Sequence, residues 1–451
     1  MGSEVVELSF VAPCMETPRK GLWVSSLDLE RANRGHTPLV YFFDPRPRSS
    51  TGDDNGADNF FDPSRLKESM AKALVAFYPL AGRVGVDGDG RTQIDCNSEG
   101  ALFVVARSQL RLDDLDDLKP SPELRRLFVP RIEPSSIILA VQVTFMKCGG
   151  VVLGTAFHHV AVDGMGDFHF MQTWSAFSRD GDGAAVELPC HQRTLLRARS
   201  PPVVHPDALS VLYRPKMTSS SSSEPAAAAA ATTAGVFVIS NDQLASLKRI
   251  CGGASAFCAV GALVWQCACA ARRLPPDAEA RVSFSADIRR RGAMRPPLPD
   301  RYLGNGIITL CASGAARDIS SEPLEHVAGR IQAARNRVDH ELVRSAIDYY
   351  HELLSLENES GYRLQGDTMA ETELRVVSWL GMPIYDADFG WGKPRRVSRA
   401  GSVRGGYVHL TRSGPEADSG IRVLVCLEAA NMEEFERLFS AKLKGLLRAK
   451  L

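Results

Sequence analysis

The stretch SSIILAVQVTFMKCGGVVLGTAFHHVAVDGMGDFHFMQTWSAFS, residues 135–178, decides how the first part of the chain folds. It begins with two apolar runs separated by a Gly-Gly pair, a pattern typical of two strands joined by a tight turn. The second run ends at two adjacent histidines, and the segment after Asp163 has the spacing of a helix that ends near Ser178. We therefore predict a hairpin followed by a helix, with an imidazole at the end of the second strand.

The rest of the chain continues this mixed pattern of strands and helices. The segments HTPLVYFF (36–43), VFVIS (236–240), RVSFSAD (281–287) and GIRVLVCLEA (420–429) are typical of strands. The segment SAFCAVGALVWQCACAAR (255–272) is apolar on almost every side, which predicts a buried helix. The sequence therefore predicts an α/β protein.

Two other segments are typical of helices that lie partly at the surface. NDQLASLKRI (241–250) predicts a capped helix with Asn241 at its start. The C-terminal segment NMEEFERLFSAKLKGLLRAKL (431–451) has the alternation of an amphipathic helix.

Length and composition predict two domains joined by a linker. At about 150 residues per domain, 451 residues suggest two or three domains. Residues 188–216 are rich in proline and arginine without apolar periodicity, which predicts a crossover between a domain at 1–187 and a domain at 217–451. Residues 218–235 are of low complexity and predict an exposed flexible loop.

The charge balance and the cysteine pattern exclude several classes of protein. Lys plus Arg and Asp plus Glu each number 53, which argues against nucleic-acid binding through a general basic field. No run of about 18 apolar residues is present, so no membrane span is predicted. The first 13 residues lack the basic start and the apolar core of a signal peptide. The ten cysteines form no CxxC pair and suit the reduced thiols of a cytoplasmic protein.

His159, Asp163 and Gly164 form the first candidate site. An imidazole at the end of a strand, before a glycine-containing turn, is suited to act as a general base near neutral pH. The same spacing also fits a buried histidine without a chemical role, and HxxxD alone does not separate the two readings. A zinc site is disfavoured, because HExxH spacing is missing and adjacent strand residues point to opposite faces.

Two further stretches have an unusual composition. DADFGWGKP (386–394) has a glycine on each side of Trp391 and a following proline, which favours a rigid loop. A strand ending in Asp287 and Arg289 leads into PPLPDRYLGNG (296–306). Taken alone, the first stretch also fits a packed turn, and the second also fits a solvated basic loop.

In this order and at these separations, the three stretches resemble the plant BAHD family of acyl-CoA-dependent acyltransferases. The similarity covers essentially the whole chain and includes ETPRKGLWVSSLDL, HTPLVYFF, FYPLAGRV, DCNSEGALFV and PIYDADFGWGKP. These segments are most similar to the hydroxycinnamoyl-CoA transferase branch. HxxxD together with DFGWG at this distance is far more specific than HxxxD alone.

The resemblance implies an α/β fold of two similar-sized domains, each a mixed β-sheet with flanking helices, as in chloramphenicol acetyltransferase. It also implies a solvent channel between the domains, with His159 at its centre. His159 would take the proton from the acceptor as the acceptor attacks the thioester carbonyl, and CoA would leave as a thiolate. The resemblance implies no metal and no cofactor, since acyl-CoA is a substrate.

The resemblance also assigns supporting residues. Asp163 would point away from the substrate and pair with an arginine of the 289–291 cluster, most simply Arg289. Trp379 would line the acceptor pocket, where its indole N–H would stabilise the oxyanion. The motif that would stiffen the domain contact consists of Asp388, Phe389, Gly390, Trp391 and Gly392. Further acceptor-pocket positions are His36, Tyr41, Asp167 and Gly381, and the expected CoA contact is Ser255.

Two positions depart from the pattern of shikimate-using relatives. Those relatives read Trp-Val-Arg-Leu-Pro before the DFGWG segment, and their arginine binds the acceptor carboxylate. Here the segment is WLGMP, with Gly381 at that position, and losing such a partner costs about 2–3 kcal/mol in a dry pocket. The family helix usually reads DGMSGLHF, whereas here Asp167 adds a carboxylate. Asp167 would pair with an ammonium group, or it is only a first-turn residue favoured by the helix dipole.

We therefore expect an N-acyltransferase that moves a hydroxycinnamoyl or benzoyl group from CoA to an amine such as tryptamine, tyramine, agmatine or a polyamine. One alternative is an O-transferase that uses shikimate, quinate or another hydroxyl acceptor. Another is a catalytically silent member that only binds ligands, against which the intact His159 and Asp163 weigh. We expect a cytoplasmic monomer whose partners are acyl-CoA and a small acceptor, without nucleic acid or membrane.

Overall fold

The structure of the protein is a computed structural model, and it forms two compact units. It describes residues 2–45, 60–115, 119–214, 217–219, 231–290, 292–360, 362–364, 369–401, 404–416 and 419–448. The first unit consists of Met1–Arg197, Pro299–Gly306 and Met382–Ser402. The second unit consists of Ala198–Leu298, Ile307–Gly381 and Val403–Leu451.

This division differs from the sequence prediction in one respect. The first boundary, after Arg197, lies inside the predicted linker at 188–216. However, the segments 299–306 and 382–402 pack with the first unit, although the sequence prediction gave all of 217–451 to one domain. The DFGWG loop therefore belongs to the unit that carries HxxxD, because its aromatic side chains pack there.

The strands are numbered along the whole chain. They are β1 Ser3–Val11, β2 Lys20–Trp23, β3 His36–Phe43, β4 Arg83–Val86, β5 Thr92–Cys96, β6 Ala101–Ser108, β7 Leu139–Met146, β8 Val151–His158, β9 Met217–Ser219, β10 Thr232–Ile239, β11 Glu279–Asp287, β12 Ile307–Ala315, β13 Tyr362–Leu364, β14 Glu373–Ser378, β15 Arg396–Arg399, β16 Tyr407–Arg412 and β17 Ile421–Glu428.

Each unit contains a mixed six-stranded sheet. In the first unit the order is β1-β6-β7-β8-β3-β15, with only the β6–β7 pair parallel. In the second unit the order is β10-β17-β16-β14-β11-β12, with β14 parallel to both of its neighbours. A small antiparallel sheet, β2-β5-β4, completes the first unit, and β9 pairs with β13 in the second.

The α-helices are also numbered along the chain. They are α1 Ser26–Leu29, α2 Pro63–Ala76, α3 Pro122–Phe128, α4 Gly164–Asp180, α5 Asn241–Ile250, α6 Ala256–Ala271, α7 Ala316–Ser321, α8 Leu324–Asn336, α9 His340–Ser360 and α10 Ala429–Arg448. None of the helices in the described ranges is long and apolar enough to cross a membrane.

The predicted hairpin at the start of the decisive stretch is confirmed. Strands β7 and β8 are joined at a turn in which Gly149 has a φ of 84°, a value that favours glycine. A second glycine, Gly154, sits inside β8, where an added Cβ would lie 1.7 Å from the carbonyl oxygen of Phe128. Only glycine at this position lets the end of α3 approach β8, so two glycines shape the strand that leads to His159.

The helices follow the local sequence with small differences. Helix α4 extends two residues past the predicted end at Ser178. Helix α5 begins at Asn241, but its N-cap is Ser240, whose side chain accepts from Gln243 N while Gln243 bonds back to Ser240 N. The apolar helix α6 is almost entirely buried, as predicted.

The low-complexity segment at 218–235 differs in part from its prediction as a flexible loop. Residues 232–235 belong to β10, which pairs with β17 from Thr232 opposite Glu428 onward. Residues 218 and 219 belong to β9. Thr232 and Thr233 are β-branched and suit a strand, and pairing with β17 orders Ala234 and Gly235 beside them. Residues 220–230 lie outside the described residues, so the prediction stays open for them.

Candidate active site

The turn after β8 carries His159. The neighbouring His158 is the last residue of β8, and its backbone N–H donates to Ile138 O at 2.8 Å. The backbone N–H of His159 donates to Gly35 O at 2.8 Å, which ties the turn to the segment before β3. The sequence prediction of an imidazole at a strand end is therefore confirmed.

Side chains from distant segments hold the carbonyl groups of this turn. The amide Nδ2 of Asn305 donates to His159 O at 2.8 Å. The guanidinium of Arg193 donates to Val160 O at 3.2 Å and also to Ala161 O. Three successive carbonyls are thus fixed, which fixes the backbone that carries the imidazole.

Asp28 connects these holding side chains. It is fully buried, and Arg193 Nη1 lies 3.1 Å from its Oδ2. Asn305 donates to Asp28 Oδ1 from its backbone N at 2.8 Å and from Nδ2 at 2.9 Å. Ser25 donates to Asp28 Oδ2 from N and from Oγ, both at 2.8 Å. We call Ser25, Asp28, Arg193 and Asn305 the Asp28 cluster.

Asp163 serves as the N-cap of α4. Its Oδ1 accepts from Met165 N at 3.1 Å and from Gly166 N at 3.2 Å, and its Oδ2 accepts from Gly306 N at 2.9 Å. These bonds satisfy helix N–H groups that have no partner within the helix, which is the usual work of an aspartate cap. They also fasten the residue 299–306 segment to the start of α4.

Arg289, the predicted partner of Asp163, lies in the second unit. Its Nη1 is 3.0 Å from Asp287 Oδ1, and its backbone N donates to the same oxygen at 3.1 Å. The residue is buried. The pairing of Asp163 with Arg289 stays a prediction.

Burial keeps both histidines of the turn neutral at physiological pH. It lowers the pKa of His159 to about 3, with the charges of Arg31 and Arg34 adding to the effect. It lowers the pKa of His158 to about 4, with His36 adding to the effect. Within the described part of the chain, the Nδ1 of His159 has no hydrogen-bond partner. A neutral imidazole is the form that can accept a proton.

The other acceptor-pocket predictions in the first unit are His36, Tyr41 and Asp167. His36 Nε2 lies 2.6 Å from Ile137 O, and its ring packs edge-on against His158 with centroids 4.9 Å apart. Burial raises the pKa of Tyr41, and the neighbouring Asp167 raises it further. Burial also raises the pKa of Asp167 well above its ordinary value, with the charge of Asp163 adding to the effect. Both side chains are therefore buried within the first unit.

Three further predicted site residues lie in the second unit. Trp379 is buried, with its ring 6.0 Å from that of His409. A Cβ added at Gly381 would meet no atom within 4 Å. Ser255 is the N-cap of α6, and its Oγ accepts from Cys258 N at 3.3 Å and from Arg335 Nη1 at 3.0 Å. The roles of Trp379 in the acceptor pocket and of Ser255 in CoA contact stay predictions.

The DFGWG loop is held by its own carboxylate and by aromatic packing. Asp388 Oδ1 accepts from Gly390 N and Gly392 N, both at 2.9 Å, and both glycines have φ near 98–99°. Phe389 packs edge-on against Trp174, with centroids 4.7 Å apart. Trp391 stacks on Phe61 at 4.9 Å, with the Arg65 guanidinium 4.7 Å from its ring. The motif is therefore a packed loop of the first unit, as its composition predicted.

Sequence reasoning missed the Asp28 cluster. Arg193 stands in a proline- and arginine-rich stretch that offered only a linker prediction, and Asp28 stands in a short segment without a chemical pattern. Asn305 belongs to a quoted motif, but nothing in its neighbours predicts a bond to His159 O. Among the described residues, no group of three or more His, Cys, Asp or Glu side chains could hold a metal ion.

The whole chain matches a known protein family. A model of the Transferase family matches residues 3–442. The chain belongs to this family. It is 42% identical over 462 residues to putrescine hydroxycinnamoyltransferase 1 of Oryza sativa subsp. japonica, covering 98% of this chain and 100% of the relative. It is 38% identical to shikimate O-hydroxycinnamoyltransferase of Nicotiana tabacum, covering 97% and 99%.

The fold has a solved counterpart in the crystal structure of vinorine synthase. The TM-score is 0.70 at 22% identity, and the match covers 96% of each chain. The predicted membership of the plant BAHD acyltransferases is thus confirmed, as is the α/β fold of mixed sheets with flanking helices that resembles chloramphenicol acetyltransferase. The protein is an acyl-CoA-dependent acyltransferase, with an acyl-CoA and an acceptor as substrates.

Proposed function

We propose that the protein moves a hydroxycinnamoyl or benzoyl group from CoA to the nitrogen of an amine in one direct transfer. The observation that carries this proposal is the imidazole of His159. It is buried and neutral, and it stands on a turn whose three carbonyls are fixed by Asn305 and Arg193. A base held in one position and kept unprotonated is what proton removal from an acceptor needs.

In the proposed mechanism, His159 accepts one proton and later returns it. The neutral amine attacks the thioester carbonyl carbon, and a C–N bond forms as the carbonyl oxygen becomes an oxyanion. His159 takes the proton that the nitrogen loses. The oxyanion collapses, the C–S bond breaks, and the imidazolium gives its proton to the departing CoA thiolate. General-base help of this kind is worth about two to four powers of ten in rate.

Two features support an amine over an anionic acceptor. Gly381 provides no side chain to bind a carboxylate at the position where shikimate-using relatives are expected to carry an arginine. Asp167 adds a buried carboxyl group in the first unit. A relative of 42% identity is named as a putrescine hydroxycinnamoyltransferase. Gly381, Asp167 and the similarity to this relative therefore all favour an amine acceptor.

The O-transferase remains the alternative. The relative from Nicotiana tabacum, at 38% identity, is named as a shikimate O-hydroxycinnamoyltransferase. The same base would serve a hydroxyl acceptor in the same way. A catalytically silent protein is less well supported, because both His159 and Asp163 of the HxxxD motif are intact.

A matrix of acyl-CoA donors and acceptors tests the proposal. Release of CoA is followed with hydroxycinnamoyl-CoA and benzoyl-CoA against tryptamine, tyramine, agmatine, putrescine, shikimate and quinate. We expect an amine to exceed shikimate and quinate in kcat/KM by at least about tenfold, since an unpaired buried carboxylate is costly. Faster acylation of shikimate or quinate than of every amine would establish the O-transferase instead.

His159→Ala tests the base. We expect kcat to fall by about two powers of ten or more while the protein stays folded. His205→Ala is the matched control, because His205 is exposed on the second unit, and its kcat should stay near that of the wild type. Near-normal turnover by folded His159→Ala would remove His159 from the mechanism.

A further inference from the structure

Two arginines of the second unit are equally buried but differently paired. Arg272 and Arg375 are each 7% exposed. The guanidinium of Arg272 donates to both carboxylate oxygens of Glu428, at 3.0 Å from Nε and 2.8 Å from Nη2, and its Nη1 donates to two backbone carbonyls. By contrast, the only side-chain hydrogen bond that Arg375 makes within the described ranges runs from its Nε to Ser283 Oγ at 3.3 Å.

The charge of Arg375 therefore lacks a counter-charge. No carboxylate of the described residues forms an ion pair with it. Glu373, two residues earlier in β14, pairs instead with Arg281, whose Nη1 lies 3.9 Å from Glu373 Oε1. A guanidinium cannot lose its proton in a protein, and a buried charge is costly unless it is paired. A cation left in this state needs an explanation.

The sheet register shows which face carries Arg375. Its neighbours in the adjoining strands are Ser283 of β11 and Tyr407 of β16, so the three side chains point to the same side. The next residue of β11, Phe284, points to the other side and packs against Phe257 of α6, with ring centroids 5.3 Å apart. The guanidinium therefore lies on the side of the sheet away from α6.

One part of the guanidinium is covered, and its outer nitrogens are open. Arg375 Cζ lies 4.5 Å from the centre of the Tyr213 ring, a cation–π contact. The backbone N–H of Tyr213 donates to Thr309 O at 3.0 Å, and its carbonyl oxygen accepts from the Tyr350 hydroxyl at 3.4 Å, so the Tyr213 backbone is fixed. Nη1 and Nη2 of Arg375 donate to no described group, yet neither is a buried atom without a partner, so both retain contact with solvent.

The chemistry of this face favours an aromatic carboxylate. The parallel N–H donors of a guanidinium match the two oxygens of a carboxylate. One carboxylate also balances one positive charge, whereas a phosphate dianion would leave excess negative charge close to Glu373. A planar ring is favoured because the rings of Tyr407 and His409 lie nearly parallel on this face, with centroids 6.4 Å apart at 16°, and Trp379 lies 6.0 Å from His409.

We propose that the second unit has a binding site for an aromatic carboxylic acid, with the carboxylate on Nη1 and Nη2 of Arg375 and the ring against Tyr407. We call Tyr213, Ser283, Arg375 and Tyr407 the Arg375 site. The inference goes beyond the proposed function, because it concerns the second unit alone and involves neither acyl-CoA nor an amine. The bound carboxylate supplies the counter-charge that the fold does not.

Isothermal titration calorimetry on the wild-type protein tests the ligand class with matched probes. Benzoate should bind at least about 30-fold more tightly than benzamide, which has the same shape and no charge. Cyclohexanecarboxylate, which has the charge without the planar ring, should bind more weakly than benzoate, as should inorganic phosphate. Equal affinity for benzoate and benzamide, or no binding of benzoate, would overturn the site. Tighter binding of phosphate or cyclohexanecarboxylate would overturn its assignment to aromatic acids.

Substitution of Arg375 tests the site itself. In Arg375→Met the affinity for benzoate should fall at least about 30-fold, because the charged partner is lost. Arg375→Lys keeps the charge without the fork of donors and should reduce the affinity by a smaller factor. Arg437→Met is the control, because Arg437 is exposed on α10 and pairs with Glu434, and its benzoate affinity should equal that of the wild type. Wild-type affinity in Arg375→Met would mean that benzoate binds elsewhere.

The two buried arginines separate a ligand site from a structural one. Arg272→Met leaves Glu428 without its counter-charge and should lower the melting temperature by several degrees. Arg375→Met removes a charge that has no partner and should leave the melting temperature unchanged or raise it. A fall as large as that of Arg272→Met would mean that Arg375 holds the fold and would overturn the inference. The comparison of benzoate with benzamide needs no variant and so does not depend on how the variants fold.

Discussion

Two buried aspartates of the first unit have opposite surroundings. Asp28 and Asp167 are 0% and 3% exposed. The carboxylate of Asp28 accepts four hydrogen bonds from Ser25 and Asn305 and pairs with the guanidinium of Arg193. Oδ1 of Asp167 accepts no bond from any residue in the described ranges, and the charge of Asp163 acts against its ionisation.

The difference separates a carboxylate that holds structure from a carboxyl group that the fold leaves without a partner on one oxygen. Every bond of Asp28 goes to a group of the protein, and through Arg193 and Asn305 it fixes the turn of His159. Because both oxygens of the Asp28 carboxylate are bonded to groups of the protein, this carboxylate is not available to bind a substrate. Asp167 Oδ1 has no hydrogen-bond partner among the described residues, and an unsatisfied buried polar atom costs stability. Three variants test this contrast.

The largest effect is expected from Arg193→Met. The change leaves Asp28 buried without its counter-charge, and breaking such a pair costs about 3–5 kcal/mol in the free energy of unfolding. Urea unfolding of the folded variant measures it. Arg126→Met is the matched control, because Arg126 is 75% exposed in a surface pair and should change stability by about 0.5 kcal/mol or less. A cost below about 1 kcal/mol for Arg193→Met would mean that Asp28 is satisfied by Ser25 and Asn305 alone.

Asp167→Asn is expected to change the free energy of unfolding by an intermediate amount and to increase it rather than lower it. The pKa of Asp167 is raised in the folded protein, so the folded state keeps a proton that the unfolded state releases above its ordinary pKa. The wild type therefore loses stability as pH rises, and the variant does not. Between pH 4 and pH 6 their difference should grow in favour of the variant, by at most about 1.4 kcal/mol per pH unit.

Urea unfolding of both proteins across this pH range measures the difference. Asp180→Asn is the matched control, because Asp180 lies at the exposed end of the same helix and pairs with Arg179, and its difference from the wild type should not change with pH in this way. A pH-independent difference for Asp167→Asn would show that the Asp167 carboxyl ionises normally in the fold. The contrast with Asp28 would then be lost.

The smallest change in stability is expected for His159. Its carbonyl oxygen accepts a hydrogen bond from Asn305 of the Asp28 cluster, while its Nδ1 has no partner among the described residues. Its pKa is lowered to about 3 by burial, so below the ordinary pKa the unfolded state binds a proton that the folded state refuses. Relative to His159→Gln, the wild type should therefore lose about 1 kcal/mol as pH falls from 6.5 to 5.5. Urea unfolding at the two pH values measures this loss. Equal pH dependence of the two proteins would mean that the imidazole titrates normally.

Local patterns predicted the elements that depend on neighbouring residues. The strand HTPLVYFF was predicted at its observed bounds, His36–Phe43. The turn was predicted from the Gly-Gly pair, because glycine can adopt the positive φ that is observed at Gly149. Helix α6 was recognised because an apolar surface on all sides requires burial. Helix α5 begins at Asn241 as predicted, while the side chain that caps it is that of Ser240. A cap is decided by one side-chain bond, and adjacent residues compete for it.

Patterns along the chain could not place the DFGWG loop or the Asp28 cluster. The loop was assigned by its position to the C-terminal domain, but Phe389 and Trp391 pack against Trp174 and Phe61 in the first unit. Packing of aromatic side chains depends on which surfaces meet in space, and sequence separation carries no information on that. The same limit applies to Arg193, because the sequence around it predicted only a linker.

The sequence by itself determined the α/β class, the hairpin and helix around His159, and the family, because each of these depends on local spacing or on motifs in a fixed order. Only the tertiary structure decided which carboxylates are saturated and which are not. Asp28, His159, Arg193 and Asn305 meet through hydrogen bonds that join residues up to 277 positions apart. Asp167 is a helix residue in the sequence, and only the assembled fold buries its carboxyl group and thereby raises its pKa. Burial and pairing are properties of the assembled fold, and they set the chemistry that each carboxylate can perform.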